Sequence, residues 1–193
     1  MLLVVAATER ELQCVPDGTA TLCCGIGPVE AALATAAALA ERRPDAVLHV
    51  GIAGARGIEP PGLVLGSESV YCDLVDPASK LPRVLRVEPD AALLAATRKA
   101  LPEARVLPIG TCARVGGGSA CEVEAMEGFG VLRAAVLAGV PAVELRAVSN
   151  SPGEPDRSRW RIADALAALD DAVPRLVAAL SGPVPGSESN TEV

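Results

Sequence analysis

Residues 19–54 read TATLCCGIGPVEAALATAAALAERRPDAVLHVGIAG, and this stretch decides the fold class. Thr19 to Cys24 is a short strand candidate that runs into Gly25-Ile26-Gly27-Pro28. Pro28 suits the first turn of a helix, where a missing N–H costs nothing. Val29, Ala32, Leu33, Ala36 and Ala40 then recur at helical spacing. Arg42 and Arg43 stand where a helix favours cations, and Pro44 stops it. Ala46 to Val50 is a strand again and leads into Gly51-Ile52-Ala53-Gly54. Strand, helix and strand in succession are the building unit of an α/β protein.

The flanking sequence continues the alternation. Leu2 to Ala7 is an unbroken apolar run, as a strand covered on both faces requires. Leu63 to Tyr71 reads as a longer strand, and Asp90 to Leu101 as a helix capped by Asp90. Arg105 to Ile109 and Thr111 to Val115 are strand-like, and Gly116 to Gly118 breaks the chain. Glu127 to Ala138 has helical spacing and ends at Gly139 and Pro141. Ala142 to Val148 is a strand, and Trp160 to Leu180 is the last helix, with a kink expected at Pro174. The expectation is one domain over residues 1–180, a three-layer α/β/α sandwich around a mixed central sheet. The Gly-, Pro- and Ser-rich tail, 181–193, is expected to be disordered.

Composition narrows the function. The chain has 193 residues, of which 50% are hydrophobic and 21% charged, so it can bury a core. Its aromatics are Tyr71, Phe129 and Trp160 alone, which leaves Ala, Val, Leu and Ile to build that core and no rows of rings to stack bases. A net charge of -7 gives no overall pull on phosphate backbones, so nucleic acid is not an expected partner. No apolar run approaches the roughly 20 residues that span a bilayer. Met1 to Ala7 lacks the basic flank and length of a signal peptide, so a cytoplasmic protein is expected. The six cysteines form no C-x-x-C pair and the one histidine, His49, stands far from them, so no metal is expected and the thiols read as small apolar fillers.

In sheets of this class, ligands sit at the carboxyl ends of the strands. Four such places carry polar or glycine-rich groups: Ala7 to Glu11, Gly51 to Gly54, Met126 to Gly128, and Arg146 to Asn150. Each also has an ordinary reading. Glu9, Glu11 and Glu127 suit a helix N-terminus, Gly51 and Gly54 close packing, and Asn150 a turn.

Together, AATERELQ, GIGPVEAALATA, PDAVLHVGIAGA, GLVLGSESVYCDL and EVEAMEGFGVLRAAVLAGVPAVELRAVSN resemble the nucleoside phosphorylase/hydrolase superfamily. They look most like its nucleosidase branch, typified by methylthioadenosine/S-adenosylhomocysteine nucleosidase. The continuation SPGEPDRSRWRIADAL is closer to the futalosine hydrolases of menaquinone biosynthesis. The resemblance covers residues 1 to about 180 and implies a nucleoside phosphorylase-like fold. It implies hydrolysis of futalosine to hypoxanthine and dehypoxanthine futalosine, with water as co-substrate and no cofactor.

By the same resemblance Glu11 matches the glutamate that activates water, and Glu127 the carboxylate that grips the ribose hydroxyls. Met126 matches the residue against the sugar face, or reads simply as core. Ala53 and Gly54 match the backbone beside the base. Asn150 replaces the aspartate that protonates adenine in the adenine-cleaving relatives. An amide cannot be that acid, but it can donate to a 6-oxopurine. His49 and Ile52 stand where phosphorylases of the superfamily place Arg and Ser, which favours water over phosphate. Arg157 and Arg159 are candidates for a carboxylate on the sugar side, with a solvated capping cluster as the plainer reading.

The segment from Thr111 to Glu122 is short and holds no aromatic to stack on the base. Either aliphatic surface and backbone hold the base or a partner subunit covers it, with Tyr71 or its neighbours crossing over. The resemblance implies a homodimer or higher homo-oligomer. Two other readings stand beside the hydrolase: a methylthioadenosine/S-adenosylhomocysteine nucleosidase, and a nucleoside-binding protein without catalysis.

Overall fold

A computed structural model of the chain describes residues 1–78, 80–116 and 118–181. The elements in order are β1 (Leu2–Ala6), α1 (Glu9–Leu12), β2 (Ala20–Cys23), α2 (Pro28–Arg42), β3 (Ala46–Ala55), β4 (Leu63–Tyr71) and β5 (Arg86–Val87). They continue with α3 (Ala91–Ala100), β6 (Arg105–Thr111), β7 (Val123–Ala125), α4 (Gly128–Ala138), β8 (Ala142–Asn150), a 3-10 turn (Arg157–Arg159) and α5 (Ile162–Leu180). Past Ser181, the tail expected to be disordered lies outside the described residues.

Local chemistry explains the helices. Asp90 accepts from the N–H groups of Ala92 and Leu93 and so starts α3. Pro28 opens α2, entered through Gly27 at φ +95°, a conformation L side chains avoid. Gly139 closes α4 in the left-handed conformation. The last helix runs on through Pro174. It buries Ala165, Leu169, Ala172, Val173, Leu176 and Leu180, and each fully buried leucine is worth about 2 kcal/mol.

The sheet is mixed, as expected, and it closes on itself. Strands β2 and β1 run parallel to β3 as an open wing. On the other side of β3, β8 pairs parallel to it from Val47↔Ala142 to Gly54↔Asn150. Next, β8 pairs antiparallel with β4, β4 parallel with β6, and β6 parallel with β7. Strand β7 then returns to the end of β3 through Gly54↔Glu124 and Ala55↔Val123. A register shift between Ala53 and Gly54 lets the end of β3 serve both neighbours. The ring leaves no free edge at this end of the sheet.

Helices cover both sides. Leu93 of α3 and the apolar face of α5 pack on Val4, Leu48, Leu145 and Ala147. Ala31 and Leu39 of α2, with Val131, Leu132 and Ala135 of α4, pack on Leu3, Val5 and Val47. A Cβ at Gly130 would lie 2.6 Å from the Pro28 carbonyl oxygen, so this glycine lets the starts of α4 and α2 approach closely. Within β8 the side chains alternate. Val143, Leu145 and Ala147 join the α5 side, while Glu144, Arg146 and Val148 face the opposite way.

Two expectations change. Arg146 to Asn150 do not follow the last strand but belong to it, since β8 runs to Asn150. The strand expected over Thr111 to Val115 ends at Thr111, and the chain then re-enters the sheet as β7, which its three residues with a glutamate in the middle did not advertise. The segment 118–122 is held by Glu124, which accepts from the N–H groups of Gly118 and Ser119 and from the Ser119 hydroxyl.

Candidate active site

The site lies where β1, β3 and β8 end. The ordinary reading of Glu11, a carboxylate at a helix start, is realised. Thr8 caps α1 and Glu11 answers it in a capping box: Glu11 Oε2 accepts from the Thr8 N–H at 3.1 Å and the Thr8 hydroxyl at 2.8 Å. The other oxygen, Oε1, accepts from the Ile52 N–H at 3.0 Å. Three donors therefore fix a carboxylate that is 6% exposed. An ionised carboxylate has about four acceptor positions, so one remains.

Glu127 caps the start of α4 and is 5% exposed. Its Oε1 accepts from the Gly27 N–H at 3.1 Å, a contact that the Gly130 approach makes reachable. Its Oε2 lies 3.5 Å from Arg146 Nη1. Burial pushes its carboxyl above the ordinary glutamate range, against the pull of Arg146 and the Gly27 N–H. Cys24 lies beside it, buried, with its thiol pushed up to about 12 by burial and then by Glu127, so it is an inert filler as expected.

Arg146 joins the two glutamates and was not singled out by sequence reasoning. It is 1% exposed. Its Nε donates to Glu144 Oε1 at 2.8 Å, its Nη2 to His49 Nε2, and its Nη1 reaches Glu127 and the Ile52 carbonyl, each at 3.5 Å. Burial opposes its charge, but Glu144 and Glu127 outweigh that and hold it protonated. His49 is fully buried, with Nδ1 on the Val5 carbonyl at 3.0 Å. Burial and then the Arg146 charge push its imidazole well below the ordinary range, so it is neutral and its Nε2 is free to accept. A Cβ at Gly51 would lie 2.9 Å from Glu11 Oε1 and against the guanidinium, so only glycine fits there.

Asn150 is 8% exposed and pairs with Gly54 across β3 and β8. Its Oδ1 accepts from the Ser149 hydroxyl at 2.7 Å, and that hydroxyl also contacts the Ala53 carbonyl at 3.2 Å. Its Nδ2 donates to the Ser151 carbonyl at 2.9 Å, leaving one amide hydrogen. Thus Glu11, Ala53, Gly54, Glu127 and Asn150 come together through Ile52 and Arg146, with Met126 half-buried next to Glu127. Arg157 joins none of these hydrogen bonds among the described residues. It is exposed on the 3-10 turn, its guanidinium 5.4 Å from the Trp160 ring centre. Trp160 is half-buried and donates to the Glu154 carbonyl at 3.1 Å. Tyr71, the residue considered for crossing to a partner, stacks on Phe129 of the same chain, ring centres 5.2 Å apart.

The family model of the phosphorylase superfamily matches residues 18–182. The futalosine hydrolase of Streptomyces coelicolor is 39% identical over 192 residues, covering 86% of this chain and 81% of that protein. The chain belongs to the phosphorylase superfamily, in its futalosine hydrolase family. The futalosine hydrolase of Thermus thermophilus is 32% identical, covering 82% of this chain and 80% of that one. Among solved structures, a futalosine hydrolase mutant of Helicobacter pylori aligns with a TM-score of 0.81 at 17% identity over 93% of this chain and 98% of that chain. The Neisseria meningitidis methylthioadenosine/S-adenosylhomocysteine nucleosidase, in complex with methylthio-immucillin-A, aligns with a TM-score of 0.77 at 23% identity over 93% and 97%. At those identities the two structures carry the superfamily fold alone. Among the described residues, no helix is long and apolar enough to cross a membrane and no cluster could hold a metal ion.

Proposed function

We propose that this chain hydrolyses the N-ribosidic bond of futalosine, releasing hypoxanthine and dehypoxanthine futalosine. The observation that carries the reading is a Glu11 carboxylate fixed by three donors with one acceptor position left, in a chain 39% identical to a futalosine hydrolase. Breaking the bond leaves an oxocarbenium-like sugar, so the site must supply water to one face and ease departure of the base. Glu11 takes the proton of the attacking water, and its charge favours the forming cation. Such a base contributes about 10²- to 10⁴-fold. Glu127 accepts from the ribose hydroxyls, Met126 lies against the sugar, and Ala53 and Gly54 flank the base. The remaining amide hydrogen of Asn150 donates to N7 or O6 of hypoxanthine as the base gains electron density. Adenine presents a donor where hypoxanthine presents O6, so this arrangement favours the 6-oxopurine.

Water is the acceptor because nothing at positions 49 and 52 offers a charged donor to phosphate. His49 is neutral and spent on Arg146, and the Ile52 N–H is spent on Glu11. Arg157 receives the carboxylate on futalosine's sugar side; Arg159 and Arg161 are paired with Glu154 and Asp164, whereas Arg157 stacks on Trp160. We place the enzyme in the cytoplasm, in menaquinone biosynthesis, as a homodimer or higher homo-oligomer. Ile26, Val29 and Leu33 support assembly: they leave an apolar stripe at the start of α2, each more than 60% exposed. Incubation with futalosine, methylthioadenosine and inosine in parallel tests the reading. Hypoxanthine from futalosine is expected; adenine from methylthioadenosine, or no base at all, contradicts it.

A further inference from the structure

We propose that Glu144 is a positioning residue for this reaction: with Ser69 behind it, it fixes the Arg146 guanidinium so that one amino group stays between Glu127 and the Ile52 backbone of β3 that holds Glu11. The inference rests on the function proposed above and adds a residue that does not touch substrate.

Glu144 is 0% exposed and sits two residues before Arg146 on the same face of β8. One carboxylate oxygen takes the Arg146 Nε hydrogen at 2.8 Å. The other accepts from the Ser69 hydroxyl of β4, across the ring. On the far side of the guanidinium, Nη2 is held by His49, itself anchored on the Val5 carbonyl. With Nε and Nη2 both held, the fork cannot rotate, and Nη1 is left facing Glu127 and the Ile52 carbonyl. One glycine makes room for the carboxylate: a Cβ at Gly128 would collide with both of its oxygens.

Stability alone does not call for this arrangement. Apolar side chains commonly replace a buried ion pair without loss, whereas a fixed guanidinium needs a fixed partner. A loosened Arg146 would carry Glu127 and the Ile52 end of β3 with it, and misplacements of about 1 Å cost on the order of 100-fold in rate.

The test is steady-state futalosine hydrolysis by wild type, Glu144→Gln, Glu144→Ala and the core control Val143→Ala, each with its melting temperature. Glu144→Ala is expected to lower kcat on the order of 10- to 100-fold while KM moves less than about 3-fold. Glu144→Gln keeps an acceptor for Arg146 and, with the Ser69 hydroxyl reversed, a bond to Ser69, so most of kcat should return. It also removes one of the charges facing Glu127. Those charges are Arg146 and Glu144 from β8 and Glu11 from α1, with the Cys24 thiol and the Gly27 N–H completing the surroundings. The acidic limb of kcat/KM should therefore move to lower pH in Glu144→Gln. Val143→Ala should lower the melting temperature and leave kcat alone.

Glu144→Ala that keeps wild-type kcat, or an unmoved acidic limb in Glu144→Gln, overturns the inference while the function stands. If Glu144→Ala does not fold, the Gln variant and its pH profile decide. Wild type that releases no base from futalosine overturns the function and the inference together.

Discussion

The Ile52 N–H donates to Glu11 Oε1 at 3.0 Å, tying the short helix α1 to the end of β3. The bond comes from the backbone, so the side chain at position 52 is free to be apolar. Glu11→Gln keeps one acceptor oxygen and loses the base. Turnover should fall on the order of 10²- to 10⁴-fold while affinity for futalosine, read by calorimetry, changes little. Retained turnover would remove Glu11 from the chemistry.

Gly51 permits that contact. A methyl group added at this glycine would meet Glu11 Oε1 at 2.9 Å and press on the Arg146 guanidinium. Gly51→Ala should cost about 1–3 kcal/mol in stability by denaturant unfolding, as overpacked cores do. It should also lower kcat, because it displaces both charged groups.

Asn150→Asp tests the choice of base. The Ser149 hydroxyl still finds an oxygen, but the Ser151 carbonyl then faces an acceptor instead of an amide N–H. Hypoxanthine release from futalosine should fall on the order of 10- to 100-fold, the cost of one lost bond to a buried acceptor. Adenine release from methylthioadenosine should rise.

Glu127 couples function to stability. Its folded-state carboxyl is raised by burial, despite Arg146 and the Gly27 N–H. The unfolded chain therefore releases this proton at lower pH than the folded one. The contribution is present below the unfolded value and is lost as pH rises through the folded one. Glu127→Gln should melt above wild type at pH 7, with the gap closing as pH falls below the glutamate range, and it should lose activity. A wild type that melts higher than Glu127→Gln at pH 7 would contradict the sign.

Much of the fold was legible because single residues announce it. The unbroken apolar run of β1 marks a strand covered on both faces. Asp90, Pro28 and Gly139 mark helix ends. Strands β5 and β7 are only two and three residues long and are held by their neighbours, so no local pattern exists to read. Glu11, Glu127 and Asn150 stood at strand ends and were legible with the family resemblance. The roles of Arg146, Glu144 and Ser69 were not, because burial of charge inside the ring depends on strands that lie far apart in sequence, and His49 was legible only as a departure from the phosphorylase pattern. The available signal was glutamate and arginine two apart in an apolar strand, which puts both on one face. The Thr8-to-Glu11 spacing is likewise a capping box in plain view.

The most direct test is chromatography of free bases after futalosine meets the purified protein in phosphate-free buffer, repeated with phosphate added. Water as acceptor predicts hypoxanthine and dehypoxanthine futalosine in equal amounts, at a rate phosphate does not change. Release that appears only with phosphate, or no hypoxanthine in either buffer, would contradict it.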